Sequence, residues 1–173
     1  MNTIPLPGDI VLVRTNHFVS RLIRFGQRDY GPEASRWNHC AVYTGNGEIV
    51  EALTQGVVIS RLDKYPVCDT KILAALAHGA STAMPMMAET QSWLDMRANA
   101  VSFAKSCVGE SYGFLTIAAI AVKVLTKGKI NFNLQGTSIC SGLGARTWER
   151  FGYNFNPFDP AELTPAYLDT YSS

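Results

Sequence analysis

A chain of 173 residues with 47% hydrophobic content is long enough for one domain with a sizeable core, spanning residues 1–173, and short for two. Fifteen Lys and Arg against 14 Asp and Glu leave a formal net charge of +1 with no lysine or arginine block, so composition gives no electrostatic case for nucleic acid or an anionic membrane surface. Four cysteines, at 40, 68, 107 and 140, show no CxxC or other metal-ligand spacing; they read as free thiols, and neither a metal nor another cofactor is expected.

The start, Met1-Asn2-Thr3-Ile4-Pro5-Leu6-Pro7, lacks the basic n-region and apolar core of a signal peptide, which points to a cytoplasmic location unless a phage system or a non-classical route delivers the protein. After a turn at Pro7-Gly8-Asp9, the β-branched run Ile10-Val11-Leu12-Val13 predicts a buried strand. Phe18 to Gln27 has apolar residues near helical spacing and predicts a short helix, and Asp29 to Arg36 reads as a loop. Two apolar runs, Trp37 to Tyr43 and Glu48 to Ala52, flank Gly45-Asn46-Gly47 and predict a hairpin. An odd-length loop there makes paired positions sum to an even number and puts His39 and Glu51 on one face. A two-residue loop without a bulge separates them.

Gly56 to Ser60 predicts another strand, Arg61 to Pro66 a turn, and Lys71 to Ala77 fits a strand or a helix. Ala77 to Ala88 reads as a loop. Thr90 to Val108 places Trp93, Met96, Ala100, Phe103, Ala104 and Cys107 on one helical face with Gly109 past the end. The apolar stretch Phe114 to Leu125 is too short to span a bilayer and predicts a buried helix, so no transmembrane segment is expected. Lys129 to Gly136 is a polar connection. A helix is predicted to start near Cys140 and to end before Gly152, with one last turn or two in Ala161 to Leu168.

A thiol at a helix N-terminus meets unpaired backbone N–H groups and the positive end of the helix dipole, both of which favour its thiolate. The same N–H groups suit an oxyanion, and Gly142 and Gly144 leave room for a substrate to approach. Cys140 is therefore the candidate nucleophile. Of three histidines, His17 and His78 sit in polar or mobile-looking surroundings, while His39 lies on a strand in a defined hairpin and is the candidate base. Glu51 is the candidate orienter of the His39 ring, or else an edge carboxylate. Asn38, Tyr112, Ser141 and Gly142 are candidates for the substrate side; Asn38 alternatively orients a loop and Tyr112 alternatively packs. Cys40 points away from His39 on an alternating strand, which argues against a metal pair there.

The ordered set Pro7-Gly8-Asp9-Ile10-Val11, Asn38-His39-Cys40-Ala41-Val42-Tyr43, Ile49-Val50-Glu51-Ala52 with Gly56-Val57, Tyr112-Gly113-Phe114 and Ile139-Cys140-Ser141 resembles the circularly permuted branch of the NlpC/P60 papain-like superfamily, in particular its YiiX-like group. The resemblance covers most of residues 5 to 152. It implies an α+β fold in which a mixed or antiparallel sheet packs on helices and the nucleophile heads one of them. It also implies attack on an amide, thioester or ester by Cys140 through a thioester intermediate, with His39 as base and Glu51 as the third polar residue. An acidic residue is expected after the serine where this chain has Cys140-Ser141-Gly142, a departure that bears on substrate detail. The expected substrates are a peptide, with peptidoglycan fragments first, or an acyl lipid for a hydrolase or acyltransferase. A binding module that kept the fold and lost turnover is the non-enzymatic alternative.

Overall fold

The computed structural model describes residues 4–75, 91–110, 140–155 and 163–171. It is an α+β arrangement built on a five-stranded antiparallel sheet in the order β4-β3-β2-β1-β5. The strands are β1 (Ile10–Val13), β2 (His39–Gly45), β3 (Glu48–Leu53), β4 (Gly56–Arg61) and β5 (Thr70–Leu73). Every residue of β1 is fully buried, in keeping with its continuous apolar run and its place between β2 and β5. The helix-or-strand ambiguity after residue 70 resolves as the edge strand β5, whose Lys71 lies opposite Leu12.

Alternation divides the side chains of the sheet between two faces. Ile10, Leu12, Cys40, Val42 and Val50 join the larger core cluster with residues of two helices, α2 (Gln91–Ser106) and α3 (Cys140–Trp148). Val11, Val13, Ala41 and Ile49 form a smaller cluster on the other face, with Tyr43, Tyr65 and Ile72 against it. Helix α1 (Phe18–Gly26) follows β1, and a C-terminal helix, α4 (Pro165–Tyr171), packs on the 3-10 turn Ala34–Arg36. The region read as a loop from Asp29 to Arg36 thus includes ordered turns, Arg28–Tyr30 and Ala34–Arg36. The buried Gln27 joins these parts: its amide donates to the Trp37 carbonyl and its carbonyl accepts the Ala166 N–H at 3.3 Å.

The hairpin between β2 and β3 turns on Asn46 (φ 52°) and Gly47 (φ 74°), two successive positive φ values that make a type I′ turn. The loop is thus two residues long, shorter than the Gly-Asn-Gly loop expected. A bulge supplies the missing residue: Tyr43 faces Ile49 and Gly45 faces Glu48, leaving Thr44 unpaired between them. Parity beyond the bulge is even, with Ala41 opposite Glu51, so His39 and Glu51 share a face.

Helix α2 buries Trp93, Arg97, Ala100 and Ala104 at helical spacing, and Cys107 lies just beyond it in the core. Arg97 is the member of this face that an apolar count omits. Its guanidinium meets the buried Asp9 carboxylate at 3.0 Å and donates to the Ala75 carbonyl at 3.2 Å, while Asp9 also accepts the N–H groups of Leu6 and Ala75. This pair locks the Pro7-Gly8-Asp9 turn to α2 and so fixes where β1 begins. Among the described residues no helix is long and apolar enough to cross a membrane. The expectations for the loop at 77–88, His78, Tyr112, the apolar stretch at 114–125 and the connection at 129–136 fall outside the described residues.

Candidate active site

Cys140 is the first described residue of α3 and is 7% exposed. The helix approaches the sheet closely because Gly144, one turn on, has no side chain. A Cβ there would stand 3.1 Å from Ile10 Cδ1 and 3.5 Å from Cys40 Sγ. The sequence reading gave Gly144 to an approaching substrate, but the space beside it is taken up by the sheet. What the glycine admits is contact between α3 and β1 and β2, and this sets Cys140 at the His39 end of β2.

His39 and Glu51 are both buried, and His39 Nε2 lies 2.8 Å from Glu51 Oε2. With Nε2 committed to the carboxylate, Nδ1 is the ring nitrogen left for Cys140, whose side chain interacts with the ring. The three side chains form one chain of contacts, Cys140 to His39 to Glu51. Burial opposes a charge on His39, yet the charge and hydrogen bond of Cys140, then those of Glu51, outweigh it and raise the ring from 6.5 to about 9. Burial likewise works against the Glu51 carboxylate. Hydrogen bonds from His39, then Lys64, Ser60 and Tyr65, prevail and hold it at about 2.

A second thiol completes the site. Cys40 faces the helix side of the sheet, in the same core cluster as Cys140. Hydrogen bonding from the Cys40 thiol is the largest influence driving Cys140 well below the ordinary thiol range; burial opposes it, and the charge and hydrogen bonding of His39 add to it. Cys40 moves the opposite way, well above the ordinary range, through the same hydrogen bond, burial and the Cys140 charge. These opposite directions favour the proton on Cys40, which lies wholly in the core, and the negative charge on Cys140, which has the His39 ring beside it. Strand alternation places Cys40 correctly away from the His39 ring. Only the docking of α3 at the end of β2 shows that one sulfur can meet both.

The other candidates take up different positions. Asn38 is buried but serves the loop after β1: its Oδ1 accepts the Thr15 N–H at 2.9 Å and its Nδ2 donates to Thr15 Oγ1 at 2.8 Å. Ser141 is buried and donates its hydroxyl to the Leu163 carbonyl, and Gly142 is buried beside it. His17 is exposed, as are the side chain of Cys68 and the tip of the Asn46 turn's partner Arg61. Lys64 and Tyr65, in the turn after β4, went unremarked in the sequence. Lys64 donates to Glu51 Oε1 and Tyr65 Oη donates to Glu51 Oε2 at 2.7 Å. Among the described residues no group of three or more His, Cys, Asp or Glu is placed to hold a metal ion. Comparison with protein-family models finds no match to this chain, and no curated protein matches it either.

Proposed function

We propose that this protein is a cysteine hydrolase of the amidase or peptidase type, a permuted relative of the NlpC/P60 papain-like enzymes, cleaving an acyl bond through a thioester on Cys140. The observation that carries this reading is the buried chain from Cys140 through His39 to Glu51, with a lowered thiol beside a raised imidazole. A thiolate–imidazolium pair supplies both parts that acyl transfer needs. The sulfur attacks the carbonyl carbon, and the imidazolium gives its proton to the leaving group as the tetrahedral intermediate collapses to the thioester. His39, now neutral, then takes a proton from the incoming water or other acceptor as that oxygen or nitrogen attacks the thioester, and the sulfur leaves as thiolate beside the restored imidazolium.

A helix N-terminus leaves its first-turn N–H groups without intrahelical partners, and such groups beside Cys140 would suit the oxyanion at the moment of attack. Glu51 keeps the ring oriented and stabilises its charge throughout. Peptide bonds of peptidoglycan fragments are the first substrates to try. Incubation with an activated acyl ester, followed by peptide mass spectrometry, should trap one acyl group on Cys140 and none in Cys140→Ala. Turnover of cell-wall peptides, of acyl lipids or of neither then separates the peptidase, the lipid hydrolase and the inactive binding module. An acyl adduct that persists in Cys140→Ala, or activity retained by that variant, refutes the mechanism.

A further inference from the structure

We propose that Lys64 is a positioning residue of this site: its ammonium, set on the Glu51 oxygen that His39 does not use, balances the charge of the buried chain and keeps the thiolate–imidazolium pair in place at lower pH. The proposal rests on the reading of Cys140 as an activated nucleophile. It begins from a count of charges. Cys140 as thiolate and Glu51 as carboxylate give two negative groups, and the His39 imidazolium gives one positive group. All three side chains lie in the core or at its margin, with Glu51 wholly buried. A net negative charge enclosed there is costly, and the least costly response is for the thiolate to take a proton.

Lys64 supplies the missing positive charge. Its Nζ donates to Glu51 Oε1, while Oε2 is occupied by His39 at 2.8 Å and Tyr65 at 2.7 Å. The side chain of Lys64 is 35% exposed, so the ammonium enters the chain from its solvent end and keeps part of its hydration. Ser60 Oγ at 3.1 Å and the Tyr65 ring, 4.9 Å from Nζ to the centroid, hold it in that position.

Among the described residues, the other ionisable groups around the site do not fill this role. On β2, Cys40 is held protonated, and on the turn after β4 the Tyr65 hydroxyl is held protonated by burial and by Glu51, so neither brings charge. On β3, Glu48 is paired with Lys105, and on β4 and its turn Arg61 is paired with Asp63 at the surface. From α3 only Cys140 faces the chain among the residues that perturb it. A purely structural tie, pinning the turn after β4 to β3, predicts no effect on the thiol titration.

The test follows iodoacetamide alkylation of each cysteine against pH by peptide mass spectrometry on the whole chain, with the exposed Cys68 as internal reference. In the wild type the Cys140 midpoint should lie well below that of Cys68. In Lys64→Met, and in Lys64→Gln, which keeps a hydrogen-bond donor without the charge, it should move up by about half a unit or more while Cys68 stays put. Lys64→Arg should bring it back. A Cys140 midpoint unmoved in both neutral variants overturns the proposal and leaves the nucleophile intact. Cys140 and Cys68 titrating together in the wild type overturns both.

Discussion

Replacing Glu51 by Gln tests the charge chain through stability, with no substrate needed. The amide keeps the size of the side chain and an oxygen for His39 and Tyr65, and removes the charge. The magnitude follows from the carboxyl's fall from 4.5 to about 2, roughly two and a half units. At about 1.4 kcal/mol per unit that amounts to about 3 kcal/mol, the lower end of the loss expected when a buried ion pair is left with one partner. Because the folded-state pKa is depressed, this stabilisation is complete above pH 4.5 and disappears as the pH falls toward 2. The Cys140–His39 pair adds no slope of its own between 6.5 and 9. In that interval the folded pair holds one proton on the imidazole and the unfolded pair holds one on the thiol. Urea unfolding of wild type and Glu51→Gln should therefore show a gap of about 3 kcal/mol that is flat from pH 5 to 8 and closes between 4.5 and 2. A gap below about 1 kcal/mol at pH 7, or one that persists unchanged at pH 2, refutes the account of Glu51 given above.

Cys140→Ala should lower the His39 pKa from about 9, because the thiolate is the largest influence raising it; NMR titration of the imidazole carbons reads this, and an unmoved value shows that Cys140 carries no charge. Cys40→Ala should shift Cys140 alkylation to higher pH and Cys40→Ser should restore it in part, since a hydroxyl donates to the thiolate as an S–H does; identical curves would remove Cys40 from the site. His39→Ala should slow turnover by about two orders of magnitude or more in kcat with KM little changed, and a loss confined to KM would assign His39 to binding. Arg97→Ala should cost about 3–5 kcal/mol by leaving the Asp9 carboxylate buried without its guanidinium, and thermal unfolding that stays near wild type would show that the pair is not needed.

The sheet was readable where a local pattern determined it. The β-branched run at 10–13, the two apolar runs around Asn46-Gly47 and the helical spacing from Trp93 all became the elements they indicate. The shared face of His39 and Glu51 followed from strand alternation, although the extra residue sits in the strand at Thr44 and not in the turn. A bulge leaves little trace in sequence, because an unpaired threonine resembles any other strand threonine. What alternation could not reveal was contact between elements distant in the chain. Cys40 and Cys140 are joined by the docking of α3, and Lys64 and Tyr65 reach Glu51 by the path of a turn. Arg97 escaped notice because a charged residue on an otherwise apolar helix face signals a buried partner only once Asp9 is known to lie opposite.

The unpaired Thr44 also limits how this protein can vary. Strand side chains alternate, so removing one residue from the Tyr43–Glu48 tip, or adding one, would carry Glu51 through the sheet to the side where Val50 and Ala52 now pack. His39 would then lose its carboxylate, and Lys64 and Tyr65 would be left reaching for an aliphatic side chain. Changes of two residues carry no such penalty, since they restore the alternation. The hairpin tip can therefore lengthen or shorten in even steps while the site survives, and homologues that keep the histidine and glutamate should differ there by even numbers unless a second bulge makes up the count.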